Sequence, residues 1–266
     1  MNAADRLVLS GVGSLTDVGV YSLANRFGMA LMVFIVTPFS CFWAAERFAV
    51  AKQPGGSDVI ARIFTYFFVS LCFAALAVSV WVGDLVRLMA AERFWSAARI
   101  GPVLVLAYVL WGTFDAFMTG VLIAGKTKEV GVLTGAAAAL HVGLCVVLGR
   151  ALGAIGIAWA KVITLAVLTV GVYVIAQRRY PIAYELGRAA KVLGVALALF
   201  VASTLLDGLP PLLGSAVKAA LIIAFPIALA AAGFLKPAEK RWMTARARAI
   251  FGRSHVAVSP ATGQSR

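Results

Sequence analysis

Charge, histidine and cysteine are all scarce in this 266-residue chain. Charged residues make up 13%, with 2 histidines, 3 cysteines, and 11 acidic side chains against 24 basic ones. Cys41, Cys72 and Cys145 lie singly and far apart in apolar runs. That spacing argues for packing over a disulfide or a metal site. The Gly-rich "SGVGS" near residue 12 lacks the Gly-Lys-Ser/Thr of a phosphate loop. No nucleophile–base pair and no covalent-catalysis motif is present, so the expectation is a protein that is not an enzyme and needs no cofactor. The N-terminal "MNAADRLVLS" has no basic n-region of the kind that opens a signal peptide. The apolar runs are continuous and do not alternate, which argues against strands.

What the chain has in abundance is apolar sequence: 62% of it, with a mean hydropathy of +0.95. One soluble core cannot hide that much, whereas lipid accepts it. A helical span needs about 20 apolar residues. Segments near 18–45, 62–82, 100–124, 130–149, 153–176, 189–206 and 214–235 meet that length. The fold class is therefore an all-α integral membrane protein with about seven transmembrane helices. Pro38 and Pro226 should kink their spans. Glycines in the fourth and fifth spans suit close helix packing. Loops are short, and none could fold as a soluble domain. Residues 83–101 read as an amphipathic helix lying in the interface, with Trp95 at headgroup depth. Residues 236–253 read as a basic amphipathic helix on anionic lipid, and 254–266 as a disordered tail.

The basic residues predict an orientation. Arg47, Lys52, Arg62, Lys126, Lys128, Arg178, Arg179, Arg188, Lys191 and the tail place 16 Lys and Arg on one face. Arg6, Arg87, Arg93, Arg99 and Arg150 place 5 on the other. The richer face is expected to be cytoplasmic, with the N-terminus outside and the C-terminus inside. The net charge of +13 is then mostly a topology signal and not a nucleic-acid footprint.

Four ionisable side chains fall well inside apolar runs, where charge is costly and usually faces protein or a wet cavity. Asp115 is the only charged residue between Arg99 and Lys126. It reads as a cavity-lining carboxylate binding a proton, a cation or a sugar hydroxyl, or as a protonated partner of a neighbouring helix. His141 reads as a packed hydrogen-bonding partner or a member of a proton relay. Arg26 and Lys161 each sit about two turns from the outer face. They either snorkel outward or, at matched depth on separate helices, hold a phosphate or pyrophosphate.

The stretch "DRLVLSGVGSLTDVGVYSLANRFGMALMVFIVTPFSCFWAAERF" resembles the start of the C-terminal lobe of bacterial polysaccharide (O-antigen type) flippases. These belong to the superfamily of multidrug, oligosaccharidyl-lipid and polysaccharide exporters. The matching pattern is Asp5-Arg6 followed by Val18, Gly19, Val20, Tyr21, Ser22, Leu23 and Ala24. "ERFWSAARIGPVLVLAYVLWG" and "GKTKEVGVLTGAAAALHVGLCVVLGRALGAIGIAWAKV" are similar to later helices of that lobe, and the likeness covers roughly residues 5–206. At His141 the family often has Asn. The resemblance implies one lobe of a two-lobe exporter fold plus two extra helices. It further implies a cationic cavity, an undecaprenyl-pyrophosphate-linked oligosaccharide as substrate, alternating access across the cell inner membrane, and a role in lipopolysaccharide O-antigen assembly. Partners would be the lipid-linked oligosaccharide, membrane lipids, and a missing N-terminal lobe or partner chain, with no nucleic acid. Residues 1–17 are expected to be the end of a truncated preceding helix and an outer loop, ahead of a transmembrane domain at 18–235. A related multidrug or lipid II exporter, or a non-transporting fragment or assembly partner, are the competing expectations.

Overall fold

A computed structural model describes residues 2–206 and 210–234. Among these residues the chain forms nine α-helices and no strand: α1 (Asn2–Val12), α2 (Leu15–Leu31), α3 (Thr37–Ala51), α4 (Gly56–Met89), α5 (Ala97–Ile123), α6 (Thr127–Leu152), α7 (Ala154–Arg179), α8 (Leu186–Leu205) and α9 (Pro211–Ala231). Seven continuous helices are long and apolar enough to cross a membrane, with α2 and α3 counting as one from Leu15 to Ala51. The protein is an all-α, multi-pass membrane protein. The segments 236–253 and 254–266 lie outside the described residues.

Local chemistry sets the boundaries. Ser14 caps α2 by accepting from the Asp17 backbone N–H, while the Asp17 carboxylate accepts from the Ser14 N–H at 2.8 Å, a reciprocal capping box. Between α2 and α3 the chain widens into a π-helical turn, Met32–Val36, just before Pro38. A proline ring removes one intrahelical donor and crowds the preceding turn, and the wider turn absorbs that misfit without ending the span. Gly55 (φ 74°) opens α4, and Gly153 (φ 64°) reverses the chain between α6 and α7. Both backbone positions disfavour a side chain.

Short turns make successive spans antiparallel. α5 is the central helix, packed against α2, α4 and α7; α7 also packs along α6, while α8 and α9 pair with each other against α4. At one end of the bundle Lys218 on α9 donates to Asp84 on α4 at 2.8 Å. At the opposite end Arg179 on α7 pairs with Glu129 on α6. The core beside α1 contains Leu9, Tyr21, Leu104 and Ile157; the core near the far end of α5 contains Phe64, Phe117 and Tyr184. Large apolar side chains such as Phe34, Val132, Val170 and Ile227 point outward. On a water-soluble protein that surface would be a liability; in a bilayer it is the lipid-facing skin.

One expectation needs correction. Residues 83–101 do not form a separate interfacial helix. α4 continues to Met89, because Val82 and Val86 remain buried in the bundle; a 3₁₀ turn at Glu92–Phe94 follows, and α5 begins at Ala97. Trp95 closes this reversal by donating its indole N–H to the Ala90 carbonyl at 3.2 Å. Residues 2–12 form α1, which packs against α6 with Asp5 and Leu9 fully buried.

Candidate functional site

Five helices bring polar side chains to one dry point. α1 presents Asp5, with Leu9 one turn later on the same buried face. α2 presents Tyr21 and Asn25, spaced i, i+4, and α5 presents Tyr108. α6 has a single buried stripe, Val130, Ala137, His141, Cys145 and Gly149, and its polar members His141 and Cys145 fall one turn apart. α7 presents Lys161 and Thr164. None of these side chains reaches the surface; Asp5 is 0% exposed, His141 1% and Lys161 3%.

Asp5 organises the cluster. Its Oδ1 lies 2.6 Å from His141 Nε2. Its Oδ2 accepts from the Tyr21 hydroxyl at 2.7 Å and from the Lys161 ammonium at 3.2 Å. Lys161 Nζ also donates to Asn25 Oδ1 at 3.1 Å and lies 5.2 Å from the centre of the Tyr108 ring. The Tyr108 hydroxyl donates to the same Asn25 oxygen at 3.2 Å. On the other side, His141 Nδ1 faces Thr164 Oγ1 at 3.2 Å. Burying an ion is costly unless hydrogen bonds replace its hydration. Here the carboxylate has three donors, and the ammonium has two oxygen acceptors and an aromatic face.

The ligand-capable atoms of Asp5, His141 and Cys145 lie within 4.8 Å of one another. Wide cysteine spacing carries no signal that Cys145 joins two such groups. The trio does not fit a metal in this arrangement. Both carboxylate oxygens are taken by donors, both ring nitrogens of His141 are engaged, and an ammonium already sits on Asp5. The cage is built around the cationic Lys161 side chain.

Of the four residues singled out in the sequence, the fold joins His141 and Lys161 and leaves the other two elsewhere. Arg26 follows Asn25 directly, so its side chain leaves α2 about 100° around the helix, and it is exposed. The two cations at matched depth therefore do not share a pocket. Asp115 lies seven residues beyond Tyr108 on α5, about 10 Å along the helix. It is half-buried and accepts from the Ser40 hydroxyl of α3; one turn on, the Trp43 indole donates to Thr119 at 2.9 Å across the same seam. Two apolar cavities, about 230 Å³ between α4, α5 and α8 and about 650 Å³ between α2, α4 and α9, touch neither Asp5 nor Asp115.

The sequence reading missed Asp5 as a site residue, together with Tyr21, Asn25, Tyr108, Cys145 and Thr164. The available signal was polar spacing inside apolar helices: Tyr21–Asn25 and His141–Cys145 at i, i+4, and Lys161–Thr164 at i, i+3. Comparison with protein-family models, with curated proteins and with solved structures finds no match.

Proposed function

We propose that the chain is the C-terminal part of a flippase that moves undecaprenyl-pyrophosphate-linked oligosaccharide across the bacterial inner membrane by alternating access, for cell-surface polysaccharide synthesis. The observation that supports this most is the buried Asp5–His141–Lys161 cluster. Ionisable groups inside membrane helices are expensive, and where they persist they usually serve transport or its coupling. Asp5 and Tyr21, which hydrogen-bond each other at 2.7 Å, both belong to the pattern that resembles the polysaccharide flippases. In this reading the face richer in Lys and Arg is cytoplasmic, which puts the α6–α7 turn and the outer end of α4 on the periplasmic side.

A second reading has its own observation. The charged groups of the cluster already satisfy one another, as they would in a membrane protein that uses them only to hold helices together. Complementation separates the two. The chain, expressed together with the coding sequence upstream of it, should restore surface polysaccharide to a strain lacking its own flippase. Asp5→Ala should abolish this at equal membrane insertion. Failure of the unmodified pair to restore polysaccharide overturns the flippase reading.

A further inference from the structure

We infer that the apolar crevice along α4 is a groove for one long polyisoprenyl chain, with the phosphate of that lipid held at Arg62. The inference deepens the flippase reading and rests on it for the lipid's role; the groove itself is read from its walls. Between α2, α4 and α9 the bundle leaves a cavity of about 650 Å³. Between the π-helical turn, α3 and α4 lies another of about 390 Å³. Phe34, Ile35 and Ser70 border both, so the two join into one crevice.

The helices dictate its course. On α4, Tyr66, Ser70, Phe73 and Ala77 recur every three or four residues and form one stripe, the floor of the crevice. The widened turn at Met32–Val36 supplies Phe34 and Ile35, the wall residues common to both cavities; such turns are frequent at functional sites. α9 flanks the far half, where the Phe73 and Phe225 rings lie 5.7 Å apart. Ser70 donates its hydroxyl to the Tyr66 carbonyl at 3.1 Å, inside its own helix. The surface left to a ligand is hydrocarbon, which a polar group would enter only at a cost.

Length selects the chain. At about 1.5 Å per residue, the α4 wall from Ile63 to Val78 runs about 22 Å. One leaflet of bilayer hydrocarbon is about 15 Å deep. A phospholipid acyl chain therefore ends inside the groove, whereas a polyisoprenyl chain continues past the midplane and fills it. Charge selects the headgroup. Arg62 sits one turn before Tyr66 on the same stripe and is exposed. Among the described residues no carboxylate pairs with it. Its guanidinium suits phosphate oxygens, and its long stem lets it meet them at the interface. In the orientation drawn from Lys and Arg this end is cytoplasmic, the side on which a lipid-linked oligosaccharide is loaded.

The test uses the full chain in phosphatidylcholine nanodiscs carrying equal mole fractions of undecaprenyl phosphate or farnesyl phosphate, whose chain spans no more than one leaflet. Native mass spectrometry reads the lipid retained. Undecaprenyl phosphate should be held one per chain and about tenfold more tightly than farnesyl phosphate, the yield of roughly ten extra carbon contacts in the far half. Ala77→Trp fills that half. It should erase the preference and leave farnesyl phosphate binding unchanged, which also shows that the variant is folded. Arg62→Gln should weaken both lipids about tenfold, the worth of one hydrogen bond to a charged group, and Arg62→Lys should retain most of the binding. Equal retention of the two lipids, a preference that survives Ala77→Trp, or displacement of undecaprenyl phosphate by an equal mole fraction of phosphatidylglycerol overturns the inference. So does a dimer of the chain that excludes lipid from the groove. Because no transport is measured, each of these results is distinct from failure of the complementation that tests the flippase reading.

Discussion

Asp5→Ala should loosen the hold of α1 on the bundle, and Cys145 offers a direct measure of that. The substitution removes the acceptor of the Tyr21 hydroxyl, the carboxylate partner of Lys161 and the partner of His141 Nε2. Breaking a buried ion pair from one side typically costs about 3–5 kcal/mol, because the remaining charge stays buried without its counter-ion. Asn25 still accepts from Lys161, so the lower end of that range applies here. At about 1.4 kcal/mol per factor of ten, 3 kcal/mol raises the population of the undocked state about a hundredfold. Cys145 is fully buried in the core that α1 helps to form. With Cys41→Ser and Cys72→Ala removing the other thiols, maleimide reaches Cys145 only through opening, and the labelling rate follows the open population when reclosing is fast. The expected result is labelling about a hundredfold faster in Asp5→Ala. Adding Lys161→Met removes the orphaned ammonium and should bring the rate back to within about tenfold of the starting protein. A rate unchanged by Asp5→Ala, or a double variant that labels as fast as the single one, would refute the view that Asp5 and Lys161 hold each other.

Three further perturbations probe the rest of the structure. A Cβ on Gly156 would sit 2.0 Å from the Leu148 carbonyl oxygen, backbone that cannot yield, so Gly156→Ala should eliminate monodisperse protein on size exclusion, whereas Gly143→Ala, with nothing within 4 Å, should leave the elution profile intact. Asp115→Asn keeps a side-chain acceptor for Ser40 but removes the carboxylate charge; on the flippase reading, surface glycan per unit of inserted protein should fall in the complementation assay, and full activity would make Asp115 a structural partner of Ser40. Reporter fusions after Gly56, Lys128 and Arg179 should read cytoplasmic and a fusion at Ala91 periplasmic; opposite readings at two of these sites would overturn the orientation drawn from Lys and Arg.

The spans were readable because lipid imposes a one-dimensional rule: continuous apolar runs of fixed length, punctuated by charge and glycine. α1 escaped that rule. It has only 11 residues and draws its order from packing on α6. His141 and Lys161 stood out because each is ionisable inside an apolar run. Their partner did not, because Asp5 lies 136 residues from one and 156 from the other, in a segment too short to look like membrane. Tyr21, Asn25, Tyr108 and Thr164 are neutral, so nothing in the composition marks them. Pairing Arg26 with Lys161 by depth overlooked helix phase, which Asn25 makes plain: adjacent residues on α2 point about 100° apart, and the inward position belongs to Asn25.

That outward position makes Arg26 the sharpest probe of what covers α2. A guanidinium facing hydrocarbon near mid-membrane costs about 2.5–3.5 kcal/mol by insertion scales. An exposed Arg26 therefore reaches either headgroups, by extending its long side chain, or water held against this face by another lobe. Substitution by cysteine separates the two, because cysteine is too short to snorkel and its thiol reacts only where water lets it ionise. In a Cys41→Ser, Cys72→Ala background, Arg26→Cys in intact cells should react with a membrane-impermeant sulfonated maleimide if α2 borders a wet cavity, as the flippase reading requires. Cys145 stays buried and supplies the unreactive baseline. Arg26→Cys that is no more reactive than this baseline would place residue 26 in lipid, make the arginine a headgroup anchor, and remove it from any substrate site on this face.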